Sequence, residues 1–283
     1  MIKNYKLVIF LIFISQRLFF VRGRLKRSLA FFIHKLIDYN PSKDIEESKI
    51  KAVVNRVPFF FYFDGMSETK QIFGAYNKKE INFLKRHTVK DSVFIDIGAN
   101  IGFYTQNIAA TFNRINFLKI IAIEPNPILA ERINDNISLL KINLPEIKDK
   151  IIIENFAIGP SSKNTHLELL GGYGNASIND KSSDTTIDIK MSSLLEIIKR
   201  NNIDYITNLK IDIEGYEDRA LKPFFENAPE SLYPKNIVIE YTSKHIWEDK
   251  EFIEYLLSKN YHIVLKTRGN LCLSINNDKL QTL

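Results

Sequence analysis

Residues Val93–Thr105 read VFIDIGANIGFYT. An apolar run carries Asp96 near its end, a turn passes from Gly98 through Ala99, Asn100 and Ile101 to Gly102, and the chain resumes with helical character. The order of buried strand, glycine turn and helix start belongs to a parallel α/β sheet, where backbone and ligand approach each other most closely. Glycine at 98 and 102 permits positive φ and lets a ligand touch the main chain. The free N–H groups of the helix start then face that ligand.

On the C-terminal side the strand-then-helix pattern repeats. Apolar runs at 120–123, 151–153, 209–213 and 237–241 read as strands, and 101–112, 128–140, 194–200, 220–226 and 248–258 as helices. Tyr261–Lys266 and Leu271–Ile275 read as two closing strands turning at Gly269-Asn270. Such units imply an α/β fold: a mostly parallel sheet with helices on both faces, here ending in an antiparallel hairpin. Ser161–Asp188, polar and carrying GGYGNAS, breaks the pattern and reads as an inserted hairpin and loop. Strands are expected there at His166–Leu170 and Thr185–Lys190. On the N-terminal side, Asn40–Lys51 reads as a linker, Val53–Phe63 as one strand and Lys78–Arg86 as a helix. Three parts are therefore expected: a basic, apolar segment at 1–40, a small lead-in subdomain at 41–90, and the main domain at 91–283.

In such sheets ligands bind beyond the carboxyl ends of the strands. Those ends supply Asp96 with the glycine turn, then Glu124 and Pro125 in IIAIEPNP. Glu124 follows Gly102 by 22 residues, where an acid meets ribose hydroxyls. IIIENFAIG supplies Asn155, Phe156 and Ala157, a place for a flat base. LKIDIEGYE supplies Asp212, Glu214 and Glu217, and IVIEYT supplies Glu240. Carboxylates at the end of a central strand are costly unless used or paired, which marks Asp212 and, less strongly, Glu240 as functional. Of the scattered histidines, only His245 lies just past such a strand end.

The chain carries 39 basic and 33 acidic residues, but residues 1–37 hold eight of the bases and no acid. The remainder has 31 basic and 33 acidic residues, a net charge of −2. A near-neutral body speaks against a nucleic-acid groove, and no nucleic-acid partner is expected. Leu7–Ile14 is apolar, Ser15-Gln16-Arg17 interrupts it, and basic and apolar residues interleave afterwards. This reads as a helix lying at the inner face of a membrane, with a true anchor or an ordinary packed helix as alternatives. Cys272 is the single cysteine, so an internal disulfide and a multi-cysteine zinc site are excluded. A cytoplasmic location fits. The sequence gives no indication of oligomeric state.

DIGANIGFYT followed in order by IAIEPNP, NFAIG, LKIDIEGYE and IVIEYT resembles the FkbM-type S-adenosylmethionine-dependent methyltransferases. FGAYNKKEINFLKR at 73–86 resembles the family's lead-in, so the likeness runs from about Phe73 to the C-terminus. The resemblance implies a class I methyltransferase (Rossmann-like) fold, S-adenosylmethionine as donor, and transfer to an oxygen of a sugar, glycolipid, polysaccharide or natural product. It implies that Gly98, Ala99, Asn100 and Gly102 hold the methionine part, with Asp96 reaching its ammonium directly or through water. Glu124 and Pro125 would then border the ribose, and Phe156 and Ala157 the adenine. Asp212 is the first candidate base for the acceptor hydroxyl, with Glu214 and Glu240 as alternatives, and no metal is demanded. One departure is Met191-Ser192-Ser193, where relatives tend to have Leu-Asp-Asp. Competing readings are a nicotinamide-dependent oxidoreductase, disfavoured by the absence of Gly-x-Gly-x-x-Gly spacing, and a non-catalytic protein of the same fold. A base-methylating enzyme is weaker still, since no Asn/Asp-Pro-Pro-aromatic motif follows the fourth strand.

Overall fold

The computed structural model of the chain describes residues 10, 11, 14, 49–62, 66–72, 76–111, 118–142, 144–169, 176–179 and 186–275. The basic segment at 1–40 and its expected membrane contact lie outside these, apart from residues 10, 11 and 14. Among the described residues, no helix is long and apolar enough to cross a membrane.

In chain order the strands are β1 (Ile50–Val54), β2 (Val57–Phe61), β3 (Ser92–Ile97), β4 (Leu118–Ile123), β5 (Ile151–Glu154), β6 (Ala157–Ile158), β7 (Lys163–Leu169), β8 (Ala176–Asn179), β9 (Thr186–Ser192), β10 (Asn208–Ile211), β11 (Asn236–Glu240), β12 (His262–Lys266) and β13 (Asn270–Ser274). The helices are α1 (Met66–Ile72), α2 (Lys78–Arg86), α3 (Phe103–Ala109), α4 (Pro127–Lys141), α5 (Leu194–Arg200), α6 (Glu217–Asn227) and α7 (Phe252–Ser258).

A seven-stranded sheet in the order β12-β13-β11-β10-β3-β4-β5 forms the centre. β3, β4, β5, β10 and β11 are parallel, and β13 lies antiparallel between β11 and β12. This is the class I methyltransferase arrangement. The expected hairpin is present, with its second strand inserted inside the sheet rather than added at its edge. Every residue of β3, β10 and β11 is buried, which explains their near-continuous apolar runs. Alternation divides the core. Phe94 and Ile120 pack with Ile81 of α2, Ile108 of α3 and Leu129 of α4. Ile95, Ile97 and Leu209 pack with Leu194 of α5, Leu221 of α6 and Phe252 of α7.

Three expectations change. Val53–Phe63 is not one strand: Asn55 and Arg56 both take positive φ (54° and 69°), and β1 turns back on β2 as a hairpin. This hairpin is fastened to the main domain. Phe60 N donates to Asn136 Oδ1 (2.6 Å), and Gln106 Nε2 donates to the Pro58 carbonyl (2.6 Å). The insert is more than a hairpin and loop, because β6-β9-β7-β8 make a second sheet. Finally, the Met191-Ser192-Ser193 departure has a structural use. Ser193 caps α5 in a capping box with Glu196, and Ser162 and Ser192 donate to the same carboxylate.

Candidate active site

β3 lies between β10 and β4, so the chain reverses its order of addition here and a crevice opens beyond the strand ends. A cleft of about 940 Å³, open mouth included, sits at that point. Its wall includes Gly98, Ala99, Asn100, Glu124, Pro125, Phe156, Ala157, Asp212 and Glu214. Nine of the expected site residues therefore meet in one place.

The glycine turn is built differently from its first reading. Gly98 has φ +71°, and a Cβ there would overlap the carbonyl oxygen of Asp212. Its bare Cα thus serves the close approach of two strand ends as well as the cleft. Gly102 has φ +79°, caps α3, and faces Ile133 of α4 at 3.3 Å from an ideal Cβ. It is buried away from the cleft wall and fixes helix packing. Asn100, also at positive φ (55°), sends its N–H to Glu124 Oε2 (2.8 Å).

Glu124 is nearly sealed from solvent. Its Oε1 accepts from Asn126 N (3.0 Å), so the carboxylate is fixed at both oxygens and still borders the cleft. Burial pushes its pKa up to about 7, against the pull of those two N–H groups. Asn155 braces this end from behind, donating to the carbonyls of Glu124 (2.7 Å) and Pro125 (3.0 Å). Next to it, Leu129, Phe156, Ala157, Ile158, Leu167 and Ile178 make an apolar slot, to which the insert contributes. The Arg200 guanidinium stacks 4.6 Å above the Phe156 ring centroid while its NH1 donates to Glu154 (3.1 Å).

Asp96 does not reach the cleft. It is fully buried, and its Oδ2 accepts from Thr105 N (3.0 Å) and Oγ1 (2.7 Å). Direct contact with a ligand ammonium is corrected to a role behind the wall, tying β3 to α3. In register beside it stands Lys210 of β10, with Nζ 3.4 Å from Asp96 Oδ1. Lys210 also donates to the carbonyls of Gly98 (2.6 Å) and Ile97 (3.3 Å) and borders the cleft.

The carboxylates of the β10 and β11 ends separate into two kinds. Asp212 and Glu214 border the cleft. Burial raises the pKa of both, that of Glu214 to about 7 with Asp212 and Glu240 adding repulsion. Lys210 opposes the rise at Asp212. Glu214 sits at positive φ (56°), an uncommon state for a non-glycine residue and one that clusters at functional sites. Glu240, by contrast, caps the turn Thr242–His245, accepting from Thr242 N (2.7 Å) and Ser243 N (3.1 Å), and is not part of the wall. Its pKa is also pushed up to about 7, first by burial and then by Asp212. Glu217 is fully buried and accepts from Ile213 N (2.9 Å), Gly215 N (3.3 Å) and Trp247 Nε1 (2.7 Å), which holds the 213–215 loop. His245 is exposed on its short turn.

Gln71 of α1, Tyr76, Phe103 and Tyr104 border the cleft too, and sequence reading did not select them. The Gln71 Oε1 is buried and accepts no hydrogen bond among the described residues. Burial raises the phenol of Tyr76 well above its ordinary value, with Asp212 and Glu214 adding to the rise. No group of His, Cys, Asp and Glu suited to a metal ion occurs among the described residues.

The family model described as the methyltransferase FkbM domain matches residues 96–263. Among curated proteins no match is found. Solved structures resemble the chain at low identity. The methyltransferase FkbM from Methylobacillus flagellatus KT is 19% identical with a TM-score of 0.45, over 73% of this chain and 54% of that one. M. capricolum TrmK, solved with its cofactor product S-adenosyl-homocysteine, is 14% identical with a TM-score of 0.37, over 69% of this chain and 66% of that one. An rRNA methylase from Streptococcus thermophilus is 10% identical with a TM-score of 0.41, over 69% of this chain and 93% of that one. The chain thus spans about half the length of the first of these and about two thirds of the second.

Proposed function

From the premise that the chain belongs to the FkbM methyltransferase family, we propose that it transfers a methyl group from S-adenosylmethionine to a hydroxyl oxygen. The acceptor class is a sugar, a glycolipid or polysaccharide, or a natural product. The observation that carries this reading is the meeting of Glu124 with Asp212 and Glu214 in one cleft.

The cleft's chemistry fits the donor. Glu124 keeps lone pairs for ribose hydroxyls beyond the two N–H groups it holds. The slot around Phe156 and Ile178 suits a flat adenine. Main chain at Gly98–Asn100 and the Gln71 oxygen, which accepts no hydrogen bond among the described residues, suit the amino-acid end, with Gln71 Oε1 accepting from its ammonium. When bound, S-adenosylmethionine supplies an electrophilic methyl group on a sulfonium.

The remaining work is positioning, water exclusion and one proton. Phe103, Tyr104, Tyr76 and Ile213 close the walls around the reacting region. Asp212 accepts the acceptor's hydroxyl proton as the new C–O bond forms, and Lys210 favours its ionised form. Glu214, with a pKa near 7, shares that proton or orients the hydroxyl. Glu240 is not the base in this scheme, because both its oxygens cap a turn.

The test supplies methyl-labelled donor with a purified cell-envelope saccharide fraction. Label recovered as a base-stable methyl ether on a sugar supports the reading. Label in a base-labile ester, in nucleic acid, or nowhere refutes it, as does failure to bind S-adenosylhomocysteine.

A further inference from the structure

A second feature stands at the same end of the sheet, outside the cleft. Tyr241 follows Glu240, and its N–H donates to the Gly269 carbonyl (2.8 Å). That bond draws the turn at 242–245 against the loop between β12 and β13. Two ammonium groups gather at the Tyr241 ring as a result: Lys244 Nζ is 4.5 Å and Lys266 Nζ 5.0 Å from its centroid. Lys244 also donates to the Tyr241 hydroxyl (2.7 Å). Arg268, next to Gly269, adds a third cation, and all three basic side chains are exposed.

Among the described residues none of these three has a carboxylate partner. The acids of the following segment are engaged elsewhere, Glu248 with Arg219 (3.2 Å) and Asp249 with Lys222 (2.6 Å). Glu254 is the acid that acts on the Tyr241 phenol, and it does so less than either lysine. Ammonium groups sharing one ring repel each other. Contact with the ring face helps to hold them together.

The cluster shares its end of the sheet with the cleft. Tyr76 of the wall feels Asp212, Glu214, Glu80 and Glu240. Glu240 caps the turn that carries Lys244, and Glu80 accepts from Asn270 Nδ2 (3.2 Å) and from Thr267 Oγ1, flanking Arg268. Asp212 and Glu214 border the cleft, where a hydroxyl must lose a proton, while Lys244 stands just beyond the end of β11 and Lys266 at the end of β12 of the same sheet.

We propose that Lys244 and Lys266 at the Tyr241 ring, with Arg268 exposed on the adjoining loop, form an outer acceptor subsite for an acidic saccharide, one whose carboxylate or phosphate group docks here while a hydroxyl reaches Asp212. This rests on the methyltransferase reading above and specifies its substrate. Three cations match one or two anionic groups, whereas a nucleic-acid backbone needs a longer basic stripe.

Trp247, the protein's single tryptophan, packs edge-on to Tyr241 at 6.4 Å and reports on the cluster by fluorescence. The full chain, saturated with S-adenosylhomocysteine, is titrated with a galacturonate hexamer, a phosphorylated mannose hexasaccharide, neutral maltohexaose and a 12-nucleotide RNA. One acidic saccharide is expected to bind, and which one distinguishes carboxylate from phosphate recognition. Affinity should fall at least about tenfold in Lys244→Gln/Lys266→Gln, while S-adenosylhomocysteine affinity stays within about twofold. Equal binding of maltohexaose, tighter binding of the RNA, no saccharide binding, or an unaffected double variant overturns the proposal. Loss of S-adenosylhomocysteine binding by the unaltered protein instead overturns the methyltransferase reading itself.

Discussion

Replacing Glu124 by Gln is the sharpest test of the donor site, because the residue has one electrostatic property that a shape-matched amide lacks. Its carboxyl has a pKa near 7, so in the free protein it is half protonated at neutral pH. Only the ionised form offers all its lone pairs to ribose hydroxyls. Affinity for S-adenosylhomocysteine should therefore be constant above pH 8 and fall as pH drops through 7. One group with this pKa gives a loss of about 30-fold at pH 5.5. In Glu124→Gln that dependence should vanish. Affinity at pH 8 should drop about 10- to 100-fold, the worth of one hydrogen bond to a charged carboxylate. Stability moves the opposite way with pH. The folded state holds this proton more tightly than the unfolded chain, so stability from this group is full below about pH 4.5. It declines by about 3 kcal/mol as pH rises through 7. Isothermal titration from pH 5.5 to 8.5 reads the binding term and urea denaturation over the same range reads the stability term. Glu214→Gln is the control that should keep the binding slope. The reasoning is refuted if Glu124→Gln retains the slope, or binds the product as tightly as the unaltered protein at pH 8.

Gly98→Ala should destabilise the fold more than Gly102→Ala in urea denaturation. Both incur left-handed backbone strain of about 1–2 kcal/mol, but only the first drives a Cβ into the Asp212 carbonyl; the reverse ranking would overturn the account of the turn. Lys210→Met leaves Asp96 buried without its cation, and a loss of about 3–5 kcal/mol is expected; a loss under about 1 kcal/mol counts against it. Asp212→Asn should lower kcat at least about 100-fold while S-adenosylhomocysteine affinity changes less than about threefold, and comparable losses in both would make Asp212 a binding residue only. Residues 1–37 should direct the full chain to vesicles containing phosphatidylglycerol but not to neutral vesicles, read by co-sedimentation, with equal partition to both refuting the electrostatic reading.

What was legible in the chain was what local grammar dictates. A turn with positive φ favours glycine and asparagine, so Gly98–Gly102 stood out. An acid at a strand end, 22 residues on, located Glu124. Lys210 was hidden because strand notation shows alternation along a chain and not register across it. Its meaning comes from standing beside Asp96 on a neighbouring strand. Gln71 and Tyr76 were hidden for a related reason. They belong to a short helix and a loop whose position depends on the hairpin at 50–61 packing over α4, a contact no spacing rule encodes. Asp96 and Glu240 were selected as strand-end acids, yet backbone and hydroxyl donors already occupy them, and such occupancy follows from three-dimensional proximity alone.

The clasp of that hairpin on α4 has a practical meaning. The family match begins at residue 96, inside β3 and four residues after its start. A recombinant fragment trimmed to the matched boundary would begin partway along a central strand. Even one beginning at Ser92 would uncover the face that Phe59 and Phe61 now shield, and would lack the cleft wall at Gln71 and Tyr76. Such a fragment should be sticky and poor at retaining cofactor. The recognisable unit of ancestry and the unit able to do the work are thus different lengths of the same chain.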